Sequence, residues 1–268
     1  VGSFLRPAKL KKAREDFSAG AIDAAALKAV EDECITDLIA KEKKAGLRFI
    51  TDGEFRRATW HLDFMWAFEG IGHSTTEDGL PFHDEAAKID DTYLTGKISL
   101  AGEHPFVEHF RFVQSFEDEN TTAKLTIPAP AQFIEQFIMP MNRKATDAAY
   151  GNDALLEDDV VVAYLAFIEQ VHAAGCRNLQ FDDCSWGCLV DPKAELFFGT
   201  DQAGLARIKE TLLRVNNRVL DAAPADLCIN THVCRGNFHS TWACEGGYDD
   251  VADALLANEH VNAFFLEF

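Results

Sequence analysis

The sequence is poor in positive charge and contains no long apolar run. Its 25 Lys and Arg residues are outnumbered by 44 Asp and Glu residues, which gives a formal net charge of −19. Duplex nucleic acid and anionic membrane surfaces are bound through basic patches, and the sequence has no lysine-rich stripe. No apolar run approaches the roughly 18 residues that indicate a membrane-spanning helix. We therefore predict neither nucleic acid nor a membrane as a partner.

The cysteines also lack the pattern of a disulfide-rich domain. There are seven of them, an odd number, and their spacing is irregular. Disulfide frameworks are typical of small secreted domains with evenly paired cysteines. The pattern therefore predicts a reduced, cytoplasmic protein. Because the first residue is Val1 rather than Met, the sequence leaves a preceding signal peptide open.

The sequence does contain a repeated order of helix, glycine and short apolar strand. Apolar residues recur at helical spacing over 22–44, Gly46 ends the pattern, and an apolar strand follows at 47–50. The same order recurs with helices predicted at 155–174, 205–222 and 251–258, and strands at 178–181, 227–230 and 261–266. In a chain of 268 residues that is 47% hydrophobic, this alternation predicts a single α/β domain, a TIM (β/α)8 barrel.

Two features differ from a complete barrel. Between about residues 60 and 122 the period changes, and segments such as 93–100 and 106–115 predict extended chain, so we interpret this region as an excursion from the barrel. Strands are predicted near 48, 126, 180, 229 and 264, with a further stub at 1–4. An eight-stranded barrel needs about two more units. We therefore expect residues 1–268 to be a single catalytic barrel that is incomplete at its C-terminus.

Polar side chains cluster at the ends of the predicted strands. These clusters are Asp52 with Glu54, Asp182 with Asp183, His232 with Cys234, and Glu267. In parallel α/β folds the carboxyl ends of the strands open onto one face, and active sites are built there. The repeated placement of the clusters therefore predicts one functional site.

His232 and Cys234 indicate a metal. They stand two residues apart in an extended segment, so both side chains lie on one face and can share an ion. A core cysteine beside a hydrogen-bonded histidine is the alternative, because this spacing is a weak signal. Glu267 can complete a His/Cys/Glu set, while Cys244 is a competing ligand. Thiolate with imidazole favours Zn²⁺, and three protein ligands with one exchangeable position are typical of a catalytic site.

Glu54 and Asp182 are the candidate catalytic and substrate-binding carboxylates. Neither has a positive partner in its immediate sequence. Such a pair can act as general acid and base, bind a hard metal, or hold the ammonium group of a substrate. A helix-capping role is the alternative, and it suits Asp183 better than Asp182.

Other candidates carry weaker signals. Gly2 permits close backbone approach and Ser3 offers a hydroxyl, although the pair alone indicates only a turn. Trp186 is either a core residue or the wall of a site for a flat ligand. Cys184 and Cys188 are expected to be small buried residues, because no second Cys or His pair follows at zinc-finger spacing.

At these motifs the chain resembles the catalytic barrel of cobalamin-independent methionine synthase, and more closely its shorter single-barrel homologues. The matching segments are Val1–Phe4, Asp16–Ala25, Thr51–Glu54, Leu179–Asp183, Thr231–Cys234 and Leu266–Glu267. Asp183 stands where the family's Gln-x-Asp-Glu strand end has its Glu. The match covers most of the chain and is loose between Trp60 and Thr122. The motifs are specific together and none is specific alone.

The resemblance implies a zinc-dependent methyltransferase that forms methionine from homocysteine, with 5-methyltetrahydrofolate as the expected methyl donor. It implies zinc ligation by His232, Cys234 and Glu267. The family's last ligand, a cysteine, and its proton donor, a histidine, are expected in a segment beyond Phe268.

The resemblance also implies how the substrate is held. Glu54 and Asp182 would hold the amino group of homocysteine, with Ser3 and the neighbouring backbone of Gly2 near the amino-acid moiety.

The donor and the exact reaction stay open at this point. Cys184 stands where the family has a proline, and the acidic chain suits a polyanionic folate tail poorly, so a methylcorrinoid or a small methylated thiol is an alternative donor. Another zinc-dependent thiol alkyltransferase, for example one acting on coenzyme M, is a second possible function. That sulfonate has no ammonium group for Glu54 and Asp182 to hold. A non-catalytic barrel that binds a thiol or an amino acid is a third.

Overall fold

The structure, a computed structural model, describes residues 2–75, 79–81, 86–88, 90–237 and 240–268, with the backbone alone at 79–81 and 86–88. Val1, the first residue of the predicted strand at 1–4, lies outside the described residues. So do 76–78, 82–85 and 89, which belong to the predicted excursion.

The described helices are, in chain order, α1 Ala8–Ser18, α2 Ala24–Lys44, α3 Leu62–Met65, α4 Pro105–Gln114, α5 Pro130–Ile138, α6 Arg143–Ala149, α7 Asp153–Ala173, α8 Ser185–Leu189, α9 Ala194–Phe198, α10 Gln202–Ala222 and α11 Ala252–Asn258. The described strands are β1 Phe49–Ile50, β2 Glu69–Ser74, β3 Gly79–Pro81, β4 Ala86–Lys88, β5 Asp91–Ser99, β6 Thr122–Ala123, β7 Leu125–Pro128, β8 Asn178–Asp182, β9 Cys228–Val233 and β10 Phe264–Leu266.

The parallel strands form the centre of the fold. β7, β8, β9 and β10 make a four-stranded sheet in the order β10-β9-β8-β7, and every pair in it is parallel. β1 pairs in parallel with β6, which only Lys124 separates from β7. Helices α2, α7, α10 and α11 precede β1, β8, β9 and β10 respectively. The predicted alternation of helices and strands in a mixed α/β fold is confirmed. Within the described ranges the paired strands do not close into a ring, so the eight-stranded barrel stays a prediction.

The three long helices begin at side-chain caps that the sequence supplies. Asp23 accepts a hydrogen bond from Ala26 N at 2.8 Å at the start of α2. Asn152 accepts a hydrogen bond from Leu155 N at the start of α7, and Asp201 accepts one from Gly204 N at the start of α10. These side chains satisfy backbone N–H groups that have no partner within the helix. No described helix is both long enough and apolar enough to cross a membrane.

The region between about residues 60 and 122 contains antiparallel pairs instead of parallel ones. β2 pairs with β5, and β3 with β4. The extended chain predicted at 93–100 is therefore confirmed for most of its length by β5. That the region is an excursion from a single barrel domain stays a prediction.

The extended chain predicted at 106–115 is wrong, because this segment forms helix α4. Pro105 occupies the first turn, where its missing N–H costs nothing. The side chain of His104 accepts a hydrogen bond from Phe106 N at 3.1 Å. Phe106, Phe110 and Val113 are buried along one helical face. That burial outweighs the preference of aromatic and β-branched residues for strands.

The strand predicted at 1–4 is also wrong over its described part. Residues 2–4 take part in no described strand pairing. The N–H of Phe4 instead donates a hydrogen bond to Gly53 O at 3.1 Å. This contact fixes the start of the chain beside the turn after β1.

Candidate metal and substrate site

The predicted site residues meet at the carboxyl ends of the parallel strands. Asp182 of β8 pairs in register with His232 of β9, and His232 pairs with Phe265 of β10. Neighbouring strands lie about 4.8 Å apart. The ends of β8, β9 and β10 therefore place their polar residues beside one another, as the sequence pattern predicted.

His232, Cys234 and Glu267 form a compact cluster of metal-binding groups. One ligand atom from each lies within 4.8 Å of the other two. His232 Nε2 and Glu267 Oε1 are 3.8 Å apart. His232 Nδ1 lies 2.8 Å from Phe265 O. Because a carbonyl oxygen only accepts, Nδ1 carries a proton, so Nε2 is the nitrogen that can donate to Cys234 in the protonated ring and offer a lone pair to a metal in the neutral ring.

The thiol of Cys234 has the surroundings of a thiolate. Its Sγ accepts a hydrogen bond from Gly236 N at 3.2 Å. The hydrogen bond from Cys184, followed by that from His232, lowers the pKa of Cys234 to about 6 against the opposing effect of burial. Burial lowers the pKa of His232, but the hydrogen bond with Cys234 and the charge of Asp182 outweigh it and leave that pKa raised. The pair thus favours the ionised sulfur that soft metals bind.

Glu54 is held in an unusual backbone conformation. Its φ is 60°, which is rare for residues other than glycine and is often found where side chains are aimed into functional sites. Asp52 Oδ1 accepts a hydrogen bond from Glu54 N at 2.9 Å, and the Glu54 carboxylate accepts one from the Thr126 hydroxyl at 3.0 Å. Arg57 Nη1 lies 3.6 Å from Glu54 Oε1. The prediction that Glu54 lacks a positive partner is therefore wrong.

Asp182 and Glu54 influence each other electrostatically inside the site. Burial, followed by the charge of Glu54, raises the pKa of Asp182 to about 7. Gln180 Nε2 donates to Asp182 Oδ1 at 2.6 Å and opposes this rise. Two buried carboxyls of this kind can share a proton or bind a cation.

Relatives of this chain are found among known bacterial proteins. No protein-family model matches the chain. The uncharacterized proteins YxjH and YxjG of Bacillus subtilis (strain 168) are each 36% identical to it, over 271 and 272 residues, and cover 100% of this chain and 69% of their own. A crystal structure from Listeria monocytogenes, of a protein provisionally named a vitamin-B12-independent methionine synthase, is 32% identical. It has a TM-score of 0.77 over 100% of this chain and 71% of that one. This chain belongs to the family of these three proteins.

A second solved structure has a similar fold at a much lower sequence identity. A B12-independent methionine synthase from Shewanella sp. W3-18-1, solved with selenomethionine, has a TM-score of 0.58 at 16% identity. The match covers 81% of this chain and 55% of that one. At this identity the likeness concerns the fold, and it agrees with the mixed α/β arrangement described above.

The donor set of this family member suits Zn²⁺. It consists of an imidazole nitrogen, a sulfur with a low pKa and a carboxylate oxygen, which is a combination that zinc binds. Ligand atoms of one tetrahedral zinc lie roughly 3.3–3.8 Å apart, given Zn–ligand distances of about 2.0–2.3 Å. For a nitrogen and an oxygen ligand the expected separation is about 3.3–3.5 Å, so His232 Nε2 and Glu267 Oε1, at 3.8 Å, would move slightly closer on binding one zinc. That the three residues bind zinc stays a prediction.

Asp183 belongs to a buried network that the sequence does not reveal. Its Oδ2 accepts a hydrogen bond from Asn216 Nδ2 at 3.0 Å, and the same amide donates to Glu259 Oε1 at 2.8 Å. Its Oδ1 accepts from the backbone N and hydroxyl of Ser185. The contact with Ser185 N lies at the start of α8, but the N-cap residue of that helix is Cys184, so the capping role considered for Asp183 stays a prediction. Asn216 lies inside α10 and Glu259 just after α11, and neither belongs to a recognisable motif.

The remaining sequence candidates have different outcomes. Trp186 has no exposed surface, so the prediction that it contacts substrate is wrong for this structure, and it is a core residue. Ser3 is exposed. Cys244, the competing ligand, is outside the metal-binding cluster found among the described residues and lies against Cys188 instead.

Arg57 is a functional candidate that the sequence analysis missed. It stands three residues after Glu54, and this spacing could have indicated it.

Proposed function

We propose that this protein is a zinc-dependent methyltransferase that transfers a methyl group to the thiol of homocysteine and forms methionine, with 5-methyltetrahydrofolate as the donor. The names of the Listeria and Shewanella proteins support a methionine synthase activity. The observation that carries the proposal is the cluster of His232, Cys234 and Glu267, next in strand register to the buried acid Asp182.

The acidic pair determines the substrate class in this proposal. Asp182 is 7% exposed and Glu54 is 3% exposed, and Arg57 lies beside Glu54. A substrate ammonium group placed beside Asp182 would favour the ionised form of that carboxyl. An α-amino acid such as homocysteine supplies that group, whereas a sulfonate thiol does not.

The metal cluster determines the chemistry. When bound, Zn²⁺ lowers the pKa of a substrate thiol from its ordinary value of about 8.5, so that the sulfur is ionised at neutral pH. The hydrogen bond from His232 Nδ1 to Phe265 O holds the imidazole with Nε2 toward Glu267. Arg235 N donates to Glu267 Oε2 at 2.8 Å and holds the carboxylate. These contacts orient the ligand set before substrate arrives.

The methyl transfer itself is a displacement. The sulfur of homocysteine forms a bond to the methyl carbon while the bond between that carbon and the donor nitrogen breaks. The nitrogen then takes up a proton. The protein's part is to align the sulfur, the methyl carbon and the leaving nitrogen.

Metal content of the purified full-length protein is the first test. We expect about one zinc per chain, lost in His232→Ala and in Cys234→Ala. Cys228→Ser and His260→Ala are matched controls, because Cys228 lies on the same strand and His260 is exposed and pairs with Asp221. Both controls should keep the metal. Full zinc in the two ligand variants would overturn the metal assignment.

Product analysis is the second test. The zinc-loaded protein should form methionine from homocysteine and 5-methyltetrahydrofolate, and homocysteine should add one sulfur to the zinc coordination seen by X-ray absorption. Methylation of coenzyme M but not of homocysteine would contradict the substrate assignment. Zinc and homocysteine binding without turnover of a folate, corrinoid or methylthiol donor would contradict the enzyme assignment.

A further inference from the structure

Cys188 and Cys244 bring two thiols into contact outside the metal cluster. Their Sγ atoms lie 3.4 Å apart, although 56 positions separate the residues in the chain. Cys188 is buried in α8, the short helix that follows Asp183. Cys244 is half-buried in the loop that follows β9, and it lines a cavity of about 700 Å³ together with Glu267.

The two segments that carry these thiols are held together by other contacts. Cys244 N donates a hydrogen bond to Arg235 O at 3.0 Å, within the loop itself. Glu245 N donates to Asp191 Oδ2 at 2.9 Å, which joins the loop to the residues that follow α8. A disulfide has an S–S distance of about 2.05 Å, so the sulfurs need to approach by only about 1.4 Å from their 3.4 Å separation. The fold therefore brings the two sulfurs into contact, and a small local movement would complete the bond.

We propose that Cys188 and Cys244 are a redox modification site, which hydroperoxides oxidise reversibly to a disulfide. The inference rests on the contact between the two thiols and on the docked loop, and it does not depend on the proposed methyltransferase activity. In a reducing compartment such disulfides are transient and regulatory.

The oxidation takes two steps. The sulfur of Cys244 attacks the terminal oxygen of the hydroperoxide, the O–O bond breaks, and Cys244 becomes a sulfenic acid while an alcohol, or water from hydrogen peroxide, leaves. The sulfur of Cys188 then attacks the Cys244 sulfur, the S–O bond breaks, and water leaves with the Cys188 proton. Two thiols lose two electrons, and the hydroperoxide gains them.

The surroundings assign the order of these steps. Cys188 is 8% exposed, whereas Cys244 reaches the cavity, so the oxidant meets Cys244 first. The hydrogen bond with Cys244 and burial raise the pKa of Cys188 well above its ordinary value, which suits a thiol that reacts second. The resulting bond would tie the cavity wall beside Glu267 to α8.

Peptide mapping tests the proposal directly. The reduced full-length protein is treated with a small excess of hydrogen peroxide, blocked with an alkylating agent and digested with trypsin without reduction. The tryptic peptide that begins at Gly236 contains Cys244 as the only cysteine up to Phe268, and peptide 178–193 contains Cys184 and Cys188. We expect these two peptides to be linked, two of the seven thiols to be lost, and dithiothreitol to restore both.

Variants identify the partner and separate this site from the zinc site. Cys188→Ser should abolish the link, while Cys184→Ser and Cys176→Ser should keep it. Zinc content should be unchanged in Cys188→Ser and after mild oxidation of the wild type. A link that persists in Cys188→Ser, a link between Cys184 and Cys234, or seven thiols that survive peroxide would overturn the proposal, whatever the zinc measurement shows.

Discussion

Gly2 lies directly against the carboxylate of Glu54 and the side chain of Thr126, which are hydrogen-bonded to each other at 3.0 Å. A Cβ added at Gly2 would stand 2.6 Å from Thr126 Cγ2 and 2.8 Å from Glu54 Oε1. Contacts below 3.0 Å essentially never occur for real Cβ atoms, so one of the neighbours must move. The start of the chain can lie this close to Glu54 and Thr126 only because residue 2 has no side chain.

Gly2→Ala should therefore weaken binding of methionine, the expected product. The added methyl group displaces the hydrogen-bonded pair of Thr126 and Glu54, and we expect a loss of about tenfold in affinity, or about 1.4 kcal/mol. Isothermal titration of the zinc-loaded protein measures it. Gly151→Ala is the matched control, because an added Cβ there meets nothing within 4 Å. Equal affinities for the two variants would mean that Glu54 is not a binding group.

Asp182→Asn and Asp183→Asn should have opposite effects, although the residues are adjacent. Asp182→Asn removes a buried charge next to Glu54, so stability should stay equal or rise while methionine affinity falls by roughly tenfold to a hundredfold. Asp183→Asn replaces an acceptor of hydrogen bonds from Ser185 and Asn216 with a group that also donates. It should destabilise the fold by about 2 kcal/mol. Urea unfolding and titration calorimetry on both variants separate the roles, and equal profiles would contradict the assignment.

The sequence predicted which side chains lie together where metal-binding residue types stand at the ends of apolar strands. His232, Cys234 and Glu267 were predicted as one cluster because polar residues at the ends of parallel strands must meet, and the structure brings them within 4.8 Å. The end of the first long helix was predicted from Gly46, and α2 does end at Lys44, just before it. These features depend on local pattern, which a single sequence contains.

Other features depend on tertiary packing and could not be predicted in this way. The segment of α4 is rich in phenylalanine and valine, and only burial of one face decides that it is a helix. Trp186 stands near the acidic residues in sequence, yet the structure buries it completely. Asn216 joins Asp183 to Glu259 over separations of 33 and 43 positions, and no local pattern marks such a bridge.

Asn216→Ala should be strongly destabilising. Asn216 is fully buried, and besides its two donated bonds its Oδ1 accepts from Ala131 N at 2.8 Å. The alanine leaves two buried carboxyls and a backbone N–H without this partner, so we expect a loss of roughly 2–4 kcal/mol in unfolding free energy. Asn217→Ala, one position on and half-buried, removes hydrogen bonds with Asn258 O and His260 N that lie at the surface, so it should cost less, about 1 kcal/mol. Urea unfolding at neutral pH compares them, and a similar loss in both would show that the buried bridge contributes little.

Glu135 should make the stability of the protein fall as the pH rises. It is 3% exposed, and Gln132 Nε2 donates to its Oε2 at 2.6 Å. Burial, followed by the charge of Asp183, raises its pKa from 4.5 to about 8. Between these two values the folded protein keeps a proton on Glu135 that the unfolded chain has released. Stability from this residue is thus fully present below pH 4.5 and is lost as the pH rises through about 8, with a slope of up to about 1.4 kcal/mol per pH unit.

Glu135→Gln isolates this contribution, because the glutamine keeps the shape and does not titrate. All other groups titrate in both proteins, so the difference between their unfolding free energies reports Glu135 together with its electrostatic interaction with Asp183. Measured by urea unfolding between about pH 5 and pH 8, that difference should shift in favour of the glutamine variant as the pH rises. A difference that does not change with pH would mean that Glu135 ionises equally in the folded and unfolded chains. Its carboxyl would then have to ionise as readily beside Asp183 in the folded protein as it does in the unfolded chain.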